Sequence, residues 1–448
     1  MPANSPGGGG REASPTVGAL TRGIAGKALP LYLSMLATTA GGMVTAAVLG
    51  NSGTAELAAY ALVVTVANPA LTAVQGALRG SMPFIAENEG DAASLAPVVR
   101  SGLWLALLLG APGGLLVAST ALWGRLIGVA APTLAALGPY PVLMGLFVVA
   151  ASVRASLTVL LIGLGHSRSV LVLSLVGTVL AVVLTPALVL GAGPLPALGL
   201  AGAGVSALAE GSATVALALY ASRRRTVLRG HRVRAGLPRW ADVVEIARVG
   251  LPSGATLLVK FGSLSVLALA VARVGAADAA AHQLLVVIAA FAFLPAAAAG
   301  QACVPFVARA AGRGDRDGVR RTVLAGYAVA VPVVAAAIGA VWALSGPFAA
   351  LLTGDPEVAS TVAALVPVLF AVVVADALQS FPGMALLGLK DPRPSLYAFA
   401  ACYGLMAVVS VPLAGAGGLE PLWWAYAVAT AGLVVGQGVA FRRSSARV

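Results

Sequence analysis

The sequence predicts an all-helical membrane protein in which twelve transmembrane helices form two pseudo-symmetric lobes of six. Three observations support this fold. Of the 448 residues, 59% are hydrophobic and only 10% are charged, which is far from the composition of a soluble domain. Apolar runs of about 20 residues, long enough to cross a bilayer as helices, recur along the whole chain. The second half of the chain also repeats the first.

The apolar runs define the helices in order. They cover approximately residues 30–50, 57–80, 97–121, 137–163, 170–190, 199–221, 251–272, 280–306, 322–344, 360–386, 395–415 and 421–441. The chain contains 54 glycines and 27 prolines. Transmembrane helices tolerate both residues, because glycine allows close helix packing and neighbouring groups satisfy the polar atoms that proline frees. We therefore expect a kinked, closely packed bundle.

Basic residues predict the orientation. Most of the 28 lysines and arginines fall at the chain termini or in loops on one side of the predicted bundle. Because basic loops stay in the cytoplasm, both termini are expected there. The net charge of +12 then indicates contact with anionic headgroups rather than nucleic-acid binding. The excess of arginine over lysine, with much alanine, glycine and valine, favours a bacterial source and hence the inner membrane.

These features divide the chain into five segments. The prediction is a disordered cytoplasmic tail (1–27), an N-lobe (28–221), a basic cytoplasmic linker (222–248), a C-lobe (249–441) and a C-terminal cytoplasmic tail (442–448).

The internal repeat sets the relation between the lobes. A shift of 222 residues places Pro30 on Pro252 and Gly53 on Gly275, and "MPFIAENEG" on "VPFVARAAG". With six helices in each repeat, the two lobes have the same orientation and are related by an axis along the membrane normal. Such lobes typically enclose a central cavity and move around it for alternating access. This architecture is typical of a transporter.

Several motifs in these repeats resemble one family. "LGNSGTAELAAYA" follows the first helix, "AAAHQ" opens the eighth, "GRGD" follows it, and "DALQ" precedes "LLGLKDPR". Together they resemble the multidrug and toxic compound extrusion (MATE) transporters over about residues 27–443. The resemblance implies export of small organic compounds in exchange for H⁺ or Na⁺, without a further cofactor.

The chain departs from the family pattern in the N-lobe. Many members carry an aspartate five residues before the glycine that ends the first helix, where this chain has Thr45. The asparagine and aspartate of the fifth helix are replaced by Ala181 and Thr185, and a threonine of the sixth by Ala207. Because Na⁺ requires several hard oxygen ligands, these replacements favour H⁺ as the coupling ion.

A second departure lies in the C-lobe. One bacterial branch carries a glutamate eight residues after the proline of the seventh helix, with an aspartate in the tenth. Here Lys260 replaces the glutamate and Asp376 is retained. Lys260 lies about 12 Å beyond Pro252, and Asp376 about 18 Å before Gly388, so long side chains can bridge the offset. We expect the ammonium and the carboxylate to pair inside the membrane.

The intramembrane charges are the main site candidates. Lys260 and Asp376 in the C-lobe, and Arg154 and Glu210 in the N-lobe, are expected to handle substrate or protons, because ionisable groups inside membranes are usually functional. The alternative is that they are fixed struts between helices.

Other polar residues are secondary candidates. The set comprises Thr45, Thr185, His282, Gln283, Gln301 and Gln379. Local hydrogen bonding competes with a functional role for each of them.

Three function classes remain open. The first is secondary active efflux of an organic solute by a protein that acts as a monomer in contact with membrane lipid. The alternative is a flippase for a lipid-linked saccharide, from a related superfamily with more helices and a strongly basic cavity. The third, a membrane enzyme, is disfavoured because the sequence contains no metal-ligand cluster, nucleophile motif or phosphate loop.

Overall fold

The computed structural model describes residues 15–50, 53–192, 196–226, 236–347 and 353–448. Twelve helices in these ranges are long and apolar enough to cross a membrane, as predicted. We number them α1 (Val17–Gly50), α2 (Thr54–Glu87), α3 (Ala92–Ala118), α4 (Tyr140–Gly163), α5 (Ser167–Leu190), α6 (Gly199–Arg225), α7 (Trp240–Ala272), α8 (Ala276–Gly312), α9 (Arg316–Ala343), α10 (Pro356–Gly388), α11 (Arg393–Gly417) and α12 (Leu419–Ser445).

Short connections join the helices, and side chains fix where several of them begin. Asp91 accepts hydrogen bonds from the backbone N–H groups of Ala93 and Ser94 at the start of α3. Asp315 plays the same part for α9, the corresponding helix of the second lobe, by accepting from Gly318. Such caps satisfy N–H groups that have no partner within the helix. Both helices therefore begin at a defined residue.

Several helices are longer than the sequence predicted. The predicted disordered tail is wrong for the part that follows Val17, where α1 already begins, whereas residues 1–14 lie outside the described ranges. Helical structure also covers both ends of the predicted linker, since α6 runs to Arg225 and α7 starts at Trp240; residues 227–235 are not described. Two unpredicted short helices, Thr120–Leu126 and Ala131–Ala136, connect α3 to α4.

The two lobes share one packing pattern. In the first, α4 packs against α3 and α6, and α1 against α5; in the second, α10 packs against α9 and α12, and α7 against α11. The contacts between lobes are also reciprocal, because α1 packs against α8 and α7 against α2. The lobes are therefore related by pseudo-twofold symmetry, as the repeat predicted.

The lobes approach each other most closely where α2 and α7 cross. A Cβ atom added to Gly76 would lie 2.9 Å from Gly254 Cα, and one added to Gly254 would lie 2.6 Å from the carbonyl oxygen of Ala73. Gly80 and Gly250 make a similar backbone contact one turn further. Only glycine allows two backbones to come so near. This crossing lies toward the end of the bundle where α2 ends and α7 begins, which we call the basic end.

Candidate substrate and coupling site

A cavity of about 330 Å³ lies between the two lobes. Its walls come from α7, α8, α10, α11 and α12 of the C-lobe, and from α1 and α2 of the N-lobe. Three of the predicted residues, Lys260, Gln301 and Gln379, line it. Since both lobes contribute to the walls, a relative movement of the lobes must change the shape of this cavity.

Lys260 and Asp376 form the predicted ion pair beside this cavity. Lys260 Nζ donates to both carboxylate oxygens of Asp376, at 3.0 Å to Oδ1 and 2.9 Å to Oδ2. Their side chains are only 12% and 8% exposed. The pair offsets much of the cost of placing each charge in a region of low dielectric constant. It also joins α7 to α10.

Neighbouring groups complete the coordination of the pair. Gln379 Nε2 donates to Asp376 Oδ1 at 2.8 Å, from one turn further along α10. The ring of Phe293 on α8 lies 5.0 Å from Lys260 Nζ, within the range of a cation–π contact. Arg79 on α2 brings a second cation to the cavity wall, from the other lobe. The cavity wall therefore carries two cations, and Lys260 is the one that pairs with Asp376.

A second cavity of about 370 Å³ lies within the N-lobe. Four predicted residues, Arg154, Glu210, Thr45 and Thr185, line it. Thr185 Oγ1 is 2.9 Å from Ser206 Oγ, so this hydroxyl already has a protein partner. Ala181 and Ala207 line this cavity as well, so the four N-lobe positions that differ from the family pattern lie in one cavity with the two intramembrane charges.

The two N-lobe charges are not in contact. The described residues contain three ion pairs, and none joins Arg154 to Glu210. Arg154 Nε is buried without a hydrogen-bond partner. Glu210 lies against α5 at Gly177, where an added Cβ would be 2.9 Å from Glu210 Oε1. In the N-lobe the two intramembrane charges therefore form no ion pair with each other, whereas in the C-lobe Lys260 and Asp376 do.

A family model and several known proteins match this chain. The MatE family model matches residues 30–187 and 252–413, one segment in each lobe. This chain belongs to the MATE family. The predicted resemblance is thus confirmed, and the protein is a multi-pass membrane protein of a multidrug efflux transporter family. The flippase alternative is not favoured.

The similarity to other MATE proteins extends over nearly the whole chain. The protein named probable multidrug resistance protein NorM of Xanthomonas campestris is 29% identical, over 98% of this chain and 97% of its own. Its Pseudomonas aeruginosa namesake is 30% identical, over 94% and 88%. Among solved structures, the Vibrio cholerae MATE transporter VcmN in the bent form gives a TM-score of 0.83 at 16% identity, over 96% and 98%. The fold is therefore shared.

Two of the secondary candidates, Gln283 and His282, line neither of the two cavities described above. Gln283 is exposed on the surface of α8. His282 is buried, and its ring packs edge-on against Trp423 at 5.7 Å. The side chain of Trp423 is fully buried. His282 and Trp423 therefore pack α8 against α12.

Two ion pairs join the lobes at the basic end and were not predicted from the sequence. Glu87, at the end of α2, accepts a hydrogen bond from Lys390 Nζ at 2.6 Å. Glu89 pairs with Arg309 at the end of α8. The only sequence signal for either pair is an opposite charge in a distant part of the chain. Together with the α2–α7 crossing, these pairs hold the lobes together at this end.

Proposed function

We propose that this protein exports small organic compounds across the bacterial inner membrane by alternating access, in exchange for protons. The observation that carries the proposal is the bidentate Lys260–Asp376 pair beside a cavity shared by both lobes. A carboxylate at this position can accept a proton and lose its hold on the ammonium. The names of the multidrug resistance relatives support the choice of substrate class.

Proton binding can change the balance between conformations only if it favours one of them. In the described conformation Asp376 accepts three hydrogen bonds, two from Lys260 and one from Gln379. Protonation removes the charge that these donors stabilise. It therefore favours a conformation in which α7 and α10 need not hold the pair together, and Lys260 is then free to bind a polar group of the substrate.

Alternating access requires the basic end to open and close. The contacts between α2 and α7, and the pairs of Glu87 with Lys390 and Glu89 with Arg309, support a closed basic end in this conformation. Rocking of the lobes around the shared cavity would break these contacts. With the basic end in the cytoplasm, this state would be closed to the cytoplasm. We propose a monomer as the transporting unit, because one chain supplies both lobes of the shared cavity.

Transport into inverted membrane vesicles tests the proposal. A panel of fluorescent organic dyes that includes anionic, neutral and cationic members is offered while either a pH gradient or a Na⁺ gradient is imposed alone. We expect dye accumulation that follows the pH gradient and does not respond to Na⁺ at fixed pH. The reason is that Thr45, Ala181 and Thr185 replace the carboxylate and amide ligands of the family pattern in the N-lobe, and Lys260 replaces the glutamate of the C-lobe. Stimulation by Na⁺ would refute proton coupling, and absence of dye transport under either gradient would refute this substrate class.

A further inference from the structure

A third cavity, of about 480 Å³, lies in the N-lobe between α3, α4 and α6. It shares no lining residue with the two cavities above. We call it the α3–α6 groove; its floor is Leu157 and Leu160 of α4, and Leu103 and Leu107 of α3 form one wall. These side chains are apolar, and Leu107 is 39% exposed, so the groove opens toward the surroundings of the bundle rather than toward its interior.

Two arginines stand at the edge of this groove. Arg100 lies eight residues into α3, and Arg223 lies two residues before the end of α6, so both are near the basic end. Neither belongs to an ion pair in the described part of the chain. Arg100 Nε is buried without a hydrogen-bond partner. An anionic group at this edge could accept hydrogen bonds from both guanidinium groups and neutralise their charge.

Trp104 connects the charged edge to the apolar groove. Its Nε1 donates to the carbonyl oxygen of Gly236 at 3.2 Å, which fixes the ring on the groove wall. Tryptophan is enriched at the level where lipid headgroups meet acyl chains. The groove therefore has basic groups at the headgroup level and hydrocarbon side chains deeper in the membrane.

Comparison of the two lobes shows that these residues are not required by the fold. Asp91 and Asp315 cap α3 and α9 at the same position. Counting from these caps, Arg100 corresponds to Leu324, which is 57% exposed. Trp104 corresponds to Ala328, an exposed residue without a ring. The combination of arginines and tryptophan is therefore a property of the N-lobe alone.

We propose that the α3–α6 groove binds one anionic phospholipid of the leaflet at the basic end. Its phosphate contacts Arg100 and Arg223, and an acyl chain lies along the leucines beside Trp104. Basic pockets between transmembrane helices bind anionic headgroups in this way. The proposal does not depend on the transport reaction.

Quenching of tryptophan fluorescence tests this site. The full-length protein is reconstituted in nanodiscs that contain either phosphatidylglycerol or phosphatidylcholine with brominated acyl chains, diluted in the other, unlabelled lipid. The chain has six tryptophans, so the contribution of Trp104 is the difference between the parent and Trp104→Phe. We expect brominated phosphatidylglycerol to quench this contribution more strongly than brominated phosphatidylcholine. The preference should fall about fivefold for each arginine changed to glutamine.

Matched variants distinguish a site from general charge attraction. Arg442→Gln with Arg443→Gln removes two exposed charges at the end of α12, on the same side of the bundle, and should leave the preference unchanged. Arg100→Lys with Arg223→Lys keeps the charges and should retain most of it, which also controls for folding. Equal quenching by the two lipids, no quenching of Trp104 by either, or an equal loss in the Arg442 and Arg443 variant would each overturn the proposal.

Discussion

At the scale of single residues, the Lys260–Asp376 pair makes each charge depend on the other. Removing one partner leaves an unpaired charge in a nearly buried site, which costs about 3–5 kcal/mol, whereas removing both leaves none. We expect Asp376→Asn and Lys260→Met each to lower the midpoint of thermal unfolding in detergent. The double variant should recover most of that loss.

The control for this cycle is Gln283→Met, an exposed position on α8. It should unfold at the temperature of the parent protein. If the two single variants are as stable as the parent, the pair does not form in solution, and the functional argument based on it fails.

The N-lobe charges should behave differently, because they are not in contact. Glu210→Gln strands no ion-paired partner, so we expect it to lower the unfolding midpoint much less than Asp376→Asn does. It should still reduce transport, since Glu210 lines a cavity together with Arg154. Thermal unfolding and vesicle transport, measured on the same preparation, check both parts. A loss of stability as large as that of Asp376→Asn would indicate that Glu210 is a strut.

The sequence predicted the Lys260–Asp376 contact because both depths could be counted from marked helix ends. It could not predict Phe293 over the ammonium, because nothing in an apolar run distinguishes one aromatic residue from the next. It also could not decide whether Arg154 meets Glu210, since that depends on helix rotation. Depth along a helix can be counted from sequence, whereas the direction of a side chain depends on packing.

At the scale of elements, the crossing of α2 and α7 depends on glycine. An added Cβ at Gly254 would meet the carbonyl oxygen of Ala73 at 2.6 Å, so Gly254→Ala must push the two helices apart. We expect this variant to increase the distance between spin labels at Gly90 and Arg313, which lie on opposite lobes at the basic end. Double electron–electron resonance measures it, in a background in which Cys303 and Cys402 are alanine.

Gly262→Ala, on the same helix, is the matched control, because nothing lies within 4 Å of its added Cβ. It should leave the label distance unchanged. An unchanged distance in Gly254→Ala as well would show that this crossing does not determine how close the lobes are.

Helix number and order were predictable, but helix ends were not. Hydropathy detects the part of a helix inside hydrocarbon, about 30 Å, whereas the 34 residues of α1 extend to about 51 Å. α1 has additional turns before residue 28, and α7 has additional turns before residue 249. These turns contain polar residues, so a hydropathy criterion assigns them to loops. Such turns form because they continue a helix that the membrane has already nucleated.

At the scale of the whole molecule, the two ion pairs between the lobes should bias the conformational equilibrium. Glu87→Gln with Glu89→Gln removes both acceptors at the basic end, so we expect a larger population in which the spin labels at Gly90 and Arg313 are far apart. Each exposed pair contributes at most about 1 kcal/mol, so the shift should be partial. Asp242→Asn with Glu245→Gln removes the same charge from α7 near this end and should have no such effect.

In the proposed coupling mechanism, a proton on one carboxylate, that of Asp376, changes the arrangement of the two lobes. Asp376→Asn removes the negative charge much as protonation does, so Lys260 is released permanently. The variant should therefore still bind dye, but its transport should no longer follow the pH gradient. Equilibrium binding to purified protein and transport in vesicles with and without ΔpH measure the two properties separately. If binding is lost together with transport, Asp376 belongs to the substrate site rather than to a proton switch. If transport still follows ΔpH as in the parent, the pair is a strut, and the proton is carried by another group, for which Glu210 is the next candidate, since it lines the second cavity.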